Sequence, residues 1–188
     1  MVSSASSNQS RPAMARLRRV SAVARIFCFA AAVLMAVGVV WLWRDPGKLA
    51  DYARGTIGVS APIGALSERG YWIAFTMGLV PAGLFVAAML RLASLFGRFG
   101  RGLVLEEENA QRLTRVGWLL TAMGVATPLT RGLQSVALTF DNPSGQKQLA
   151  ITLDPGTFGV LAAGAALVAF GLVLKEAVRL ADENQSFV

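Results

Sequence analysis

The chain contains no histidine and a single cysteine, so its carboxylates are the first residues to weigh for chemistry. These are few, and they are adjacent in only two places. Glu106, Glu107 and Glu108 are followed by Asn109, and Asp182 and Glu183 are followed by Asn184. With Leu105 and Leu180 included, both segments read Leu-x-acid-Glu-Asn. Clustered carboxylates serve as general acids and bases, or hold cations, when burial or a neighbouring charge pushes one pKa away from the other. Nothing around either segment predicts burial, and charge runs at helix ends are ordinarily solvated. The two segments therefore read as a charged docking surface rather than a catalytic pair. Glu108 and Arg112 stand four residues apart in the order that favours an ion pair along a helix.

Other chemistries lack their residues. The missing histidine removes the commonest catalytic base and the commonest metal ligand. Cys28 lies in an apolar block, where a thiol acts as a small hydrophobe. No nucleophile with a base, no metal-ligand spacing and no phosphate-cradling glycine loop appears. The sequence thus predicts a protein that is not an enzyme and needs no cofactor or metal.

Hydrophobic residues make up 54% of the 188 and charged residues 15%, against about half and a quarter in soluble chains. The apolar residues come in blocks with the charges between them, which predicts an all-α membrane protein. Four spans are expected, at about 26–43, 71–90, 113–130 and 156–174. The third has the shortest uncharged run, 116–130. Trp41, Trp43, Tyr71, Trp72 and Trp118 fall near span ends, as interfacial aromatic residues do. The first apolar run is too long for a signal peptide and is read as an uncleaved helix.

The polar stretch 1–19 is expected to be a disordered basic tail before a membrane domain over 20–188. A short interfacial helix is expected near Leu49. Gly97, Gly100 and Gly102 should break any helix after the second span. Between the third and fourth spans, two strand-like runs flank Asp141, Asn142, Pro143, Ser144 and Gly145, which predicts a short extracytoplasmic β-hairpin. Twelve Lys and Arg residues fall on the side of the two termini and six on the other, so the termini should be cytoplasmic. That placement beside apolar blocks also argues against direct nucleic-acid binding, despite the net charge of +7.

The uncharged runs of the spans, 116–130 in the third, hold no Asp, Glu, Lys, Arg or His, so their features are small residues, threonines and prolines. Ala74, Gly78 and Ala82 recur at four-residue spacing, as do Gly159 and Ala163 and also Ala32 and Ala36. Such stripes let helices approach closely in lipid, within one chain or across a homo-oligomer; four helices in need of partners favour the first use. Thr76, Thr121, Thr127, Thr130 and Thr157 should bond to their own helix backbone. Pro81 and Pro128 read as kinks.

Leu95, Phe96, Gly97, Arg98, Phe99, Gly100, Arg101 and Gly102, then Leu105, Glu106, Glu107, Glu108 and Asn109, then Arg112, Leu113, Val116, Gly117 and Trp118, resemble the central motif of a bacterial membrane family. That family is catalogued as domain of unknown function 2975. Glu176, Ala177, Leu180, Asp182, Glu183 and Asn184 resemble its C-terminal signature, and the resemblance covers about residues 20–188. The chain departs from the pattern at Glu106, where the family often has a threonine suited to capping. It departs again at Ser186, Phe187 and Val188, where Thr-Val is usual. The resemblance implies four spans in a bacterial cytoplasmic membrane and no catalytic residues. Some relatives are encoded beside helix-turn-helix regulators, which implies by analogy a regulatory role through a cytoplasmic partner. The reading is a membrane-embedded interaction protein whose docking residues are Leu105, Glu107, Glu108, Asn109, Arg112, Leu180, Asp182, Glu183 and Asn184. The competing reading is a small transporter or channel subunit built around Pro81, Pro128 and the glycine-rich spans.

Overall fold

The computed structural model describes residues 6–61, 63, 67–104 and 106–185. Its elements are α1 (Ser6–Trp43), α2 (Pro46–Tyr52) with a π-helical turn (Ala53–Ile57), α3 (Glu68–Phe99), α4 (Glu107–Thr139) and α5 (Pro155–Gln185). The fold is helical, with no strand among the described residues. The long helices pack in chain order, α1 on α3, α3 on α4 and α4 on α5, while α1 does not close on α5. Each pair is antiparallel: Trp43 of α1 meets Gly78 of α3 and Ser21 meets Gly100. Both termini and the α3–α4 turn therefore share one end, called here the terminal end.

Three helices are long and apolar enough to cross a membrane, Met14–Trp43, Glu68–Phe99 and Pro155–Glu183. They are compatible with a multi-pass membrane protein. The expectation of four such helices is corrected, because α4 does not reach that apolarity. Its composition follows from its position. Asn109, Thr130, Gln134, Ser135 and Thr139 are buried. α4 lies between α3 and α5, so its polar groups meet protein rather than lipid.

The α4–α5 contact is made by backbone. Ala110, Thr114, Gly117, Thr121 and Gly124 alternate spacings of four and three, as do Leu161, Gly164, Val168 and Gly171 opposite them. A Cβ on Gly117 would stand 2.6 Å from the Val168 nitrogen, and one on Gly164 or Gly171 would stand 2.8 Å from the nitrogen of Thr121 or Thr114. Only glycine permits this approach. Gly159 and Ala163, the stripe expected to pack, lie exposed on another face of α5. On α3, Ala74 is fully buried, while Gly78 faces the side chains of Gln134 and Trp43.

Away from the termini, Trp43, Leu49, Ala53, Ile57, Val59, Ala74, Ala137 and Leu138 form one core. Asp45 caps α2 by accepting the Gly47 N–H at 2.9 Å, and Gly58, at φ 84°, ends the turn that follows. The short helix expected near Leu49 is thus present. Trp43 packs edge-on against Tyr71 and Phe75, with ring centroids 5.3 Å away in each case. Trp41 and Trp72 remain exposed at this end and Trp118 nearer the other.

The expected β-hairpin does not form. Its first run stays in α4, where Ala137, Leu138 and Thr139 are buried. Its second run lies extended beside α4, and hydroxyls replace the missing strand. The Gln148 N–H donates to Thr139 Oγ1 at 3.0 Å and the Ala150 N–H to Ser135 Oγ at 2.8 Å. Gln148 Oε1 accepts the Ser60 N–H at 2.8 Å, and Thr152 Oγ1 donates to the Ile57 carbonyl at 2.9 Å. Two further boundaries shift. α1 starts at Ser6, inside the stretch expected to be disordered, and α3 continues through Gly97 to Phe99. Residues 1–5 lie outside the described residues.

Replacing Gly164 by alanine should destabilise the purified protein by about 1–3 kcal/mol through overpacking. Gly159→Ala has open space beside it and should stabilise by about 0.5–1 kcal/mol. Thermal unfolding in one detergent checks both; equal shifts of the same sign would contradict the seam.

Candidate functional site

The first Leu-x-acid-Glu-Asn segment sits at the α3–α4 turn. Glu106 has extended backbone, as an N-cap does, but its carboxylate makes no capping bond. It pairs instead with Arg98 of α3. Arg98 also reaches Glu108 Oε2 at 2.7 Å and donates from Nε to Asn109 Oδ1 at 2.8 Å. Asn109 is fully buried, and its amide donates to the Leu103 carbonyl at 2.8 Å and the Val104 carbonyl at 3.2 Å. Arg112 holds Glu108 Oε1 at 2.6 Å and Ser94 Oγ at 2.8 Å. Glu108 is kept below the usual carboxylate range, first by its Arg112 hydrogen bond and further by Arg98.

Much of the expected docking motif is therefore a staple that closes a tight turn. Asn109 faces inward, and Glu108 and Arg112 are engaged across the α3–α4 contact. Arg98 is the hub, known in the sequence only as one residue of the central motif. Its signal was present, since one arginine precedes three glutamates and an asparagine by about ten residues. Glu107 remains exposed and lies 3.8 Å from Lys175 of α5. Asp182 and Glu183 lie two turns further along α5, and Leu180 is also exposed there. Arg179 reaches Glu176 at 2.5 Å and Glu183 at 3.8 Å on the same surface. Leu105 and the Asn184 side chain fall outside the described residues.

A second polar group, away from the termini, was not singled out from the sequence. Arg131 of α4 pairs with Asp154, which precedes α5, and lies on the same polar end as Tyr52. Asp154 Oδ1 accepts the Thr157 N–H at 2.9 Å and caps α5. Its carboxyl is held below the ordinary value, first by Arg131 and then by that N–H. Burial pushes the Tyr52 hydroxyl up, with Arg131 opposing. Gln134 Nε2 donates to the Ala74 carbonyl at 2.9 Å, and Gly78 leaves the room for it to do so.

These residues border a cavity of about 700 Å³, which runs from Arg131 and Asp154 along Gly38, Pro81, Ala82 and Met123. Its walls are apolar and its polar groups gather at one end. Four of the five threonines do what the sequence led one to expect: Thr76, Thr121, Thr127 and Thr130 donate to carbonyls of their own helices at 2.7–3.0 Å, while Thr157 enters the cap of α5 through its backbone N–H. Among the described residues, no group of His, Cys, Asp or Glu could hold a metal ion.

Two outcomes follow. Asn109→Ala should cost about 1–3 kcal/mol by stranding buried partners, whereas Asp182→Ala should stay within about 0.5 kcal/mol; denaturant titration in micelles reads both. The Asp154 contribution runs with pH. Its lowered folded pKa means the stabilisation is complete above about pH 4 and is lost as pH falls through the folded value. Asp154→Asn should remove that part of the acid-induced fall in melting temperature.

No protein-family model, curated protein or solved structure matches this chain, so its reading rests on its own residues.

Proposed function

We propose that the chain is a four-span protein of the bacterial cytoplasmic membrane that docks a cytoplasmic protein and catalyses no reaction. α4 serves as the fourth span. Its uncharged run, 116–130, is short, but it is sheltered by α3 and α5 and needs no apolar exterior of its own. The arginine-rich end belongs in the cytoplasm, since twelve of the eighteen Lys and Arg residues lie there. This is the plan implied by the resemblance to the family of unknown function.

One observation carries the docking role. Beyond Val178, the last buried one among its described side chains, α5 continues past the start of α4 and presents Leu180, Asp182 and Glu183 outward. An apolar side chain among acids on a projecting helix suits a groove with a basic rim on a soluble partner. A helix-turn-helix regulator is the partner type that the resemblance favours. The exposed Gly159 and Ala163 offer a second copy a close-packing face for a homo-oligomer. The transporter reading has the cavity in its favour. Against it, the lining begins at Gly124 and Met123 on α4, while towards the terminal end the glycine seam is closed.

The test is cross-linking in native membranes with the exposed residues changed and the staple intact. Glu107→Ala, Asp182→Ala and Glu183→Ala together should abolish recovery of a soluble partner without lowering the melting temperature. Recovery unchanged in the triple variant would end the docking proposal. A reporter fused after Val188 that works only outside the cytoplasm would reverse the orientation.

A further inference from the structure

We infer that the cavity between α1 and α5 is a binding site for one phospholipid with a zwitterionic, primary-ammonium headgroup, entered sideways from the outer leaflet. The inference rests on the membrane-spanning reading and is independent of the cytoplasmic docking surface.

The first ground is access. α1 and α5 do not touch, so the cavity opens along the bundle rather than at its end. In a bilayer that slot faces hydrocarbon, and the molecules able to enter are those already dissolved there. The second ground is size and polarity. A space of about 700 Å³ lies within the range of built ligand sites, and its length is lined by groups such as Leu34, Met35, Pro81 and Phe85 that suit an acyl chain.

The third ground is charge complementarity at the polar end. Arg131 and Asp154 stand side by side, one cation and one anion, and their side chains are 17% and 37% exposed. A guanidinium has five N–H donors, and those not directed at Asp154 are available to a phosphate. The half-exposed Asp154 carboxylate accepts from an ammonium. A phosphate and an ammonium joined by a short linker match this pair in sign and order. An anionic headgroup with no cation would face Asp154 without compensation, and a neutral glyceride would leave Arg131 with no new partner.

The site also has a position at which it can be filled. Gly38 lines the cavity, and a Cβ there would meet nothing within 4 Å. Gly38→Phe therefore occupies the space of the chain while leaving the helix contacts and the ion pair in place.

The experiment uses the full chain reconstituted in nanodiscs of equal phosphatidylethanolamine and phosphatidylglycerol, released into detergent and weighed by native mass spectrometry. One retained phosphatidylethanolamine per chain is expected, preferred over phosphatidylglycerol by roughly tenfold, the factor one charge-assisted hydrogen bond supplies. Gly38→Phe should reduce that adduct by a similar factor. Asp154→Asn, which removes the anion and leaves Arg131, should shift the preference towards phosphatidylglycerol. Equal retention of the two lipids by the parent chain, or an adduct unchanged by Gly38→Phe, would overturn the inference. Neither result depends on whether a cytoplasmic partner is found.

Discussion

Gly117, Gly164 and Gly171 let α4 and α5 approach until backbone meets backbone, and the rest of the bundle is arranged around that contact. In lipid there is little hydrophobic gain in bringing two helices together, so close packing must supply the attraction. Glycines seven residues apart, within seam positions that alternate four- and three-residue spacing, make one long seam, the pattern of helices that cross at a small angle. Once α4 is fixed to α5 on one side and to α3 on the other, its outward surface is small. It can then carry Gln134, Ser135 and Thr139, which would be costly on a lipid-facing helix. Ser135 and Thr139 in turn hold the 146–154 connection by its backbone N–H groups. The apolar helices and the polar one are two parts of a single solution.

The same logic explains which parts of the fold were legible in the sequence. The three apolar helices stood out because each carries a long uncharged run and is exposed over most of that run. α4 was read as a span on the shortest uncharged run, and it falls short of their apolarity because it is buried between α3 and α5. The β-hairpin expectation failed for a related reason. Val136, Ala137, Leu138 and Thr139 look like a strand by residue type, but the core around Trp43 and Ile57 keeps them helical. Hydroxyls four residues apart on one helix then supply the acceptors that a partner strand would have given. Such a substitution leaves no periodic trace.

The site was legible only in outline. The repeated acidic-asparagine segments drew attention to the terminal end, yet sequence could not separate Asn109, which faces inward, from Glu107, which faces out. That distinction depends on Arg98, placed by α3 a turn away from the Leu103 and Val104 carbonyls. The small residues posed the same difficulty. Gly159 and Gly164 lie on one helix five residues apart and differ by a large rotation about its axis, so composition alone cannot say which meets α4. Arg131 and Asp154 were passed over because they lie at the two ends of the stretch read as a β-hairpin, where ions are unremarked.

The open side between α1 and α5 follows from how α1 is held. α1 is fastened to α3 near both of its ends. Away from the termini, Trp43 packs on Tyr71 and Phe75 and its carbonyl accepts the Tyr71 hydroxyl at 2.8 Å. At the terminal end, Ser21 lies against Gly100 and Arg25 against Gly97. A helix pinned at two points on one neighbour cannot easily swing across to a second. The slot beside it is then a lasting feature rather than a gap awaiting collapse. Its walls are apolar, and its charged pair, Arg131 and Asp154, sits at the end away from the termini. A bundle that only needed to be stable would gain by closing this side with α5. Leaving it open forgoes that packing along the length of two helices, and such a sacrifice is consistent with a space kept for a ligand.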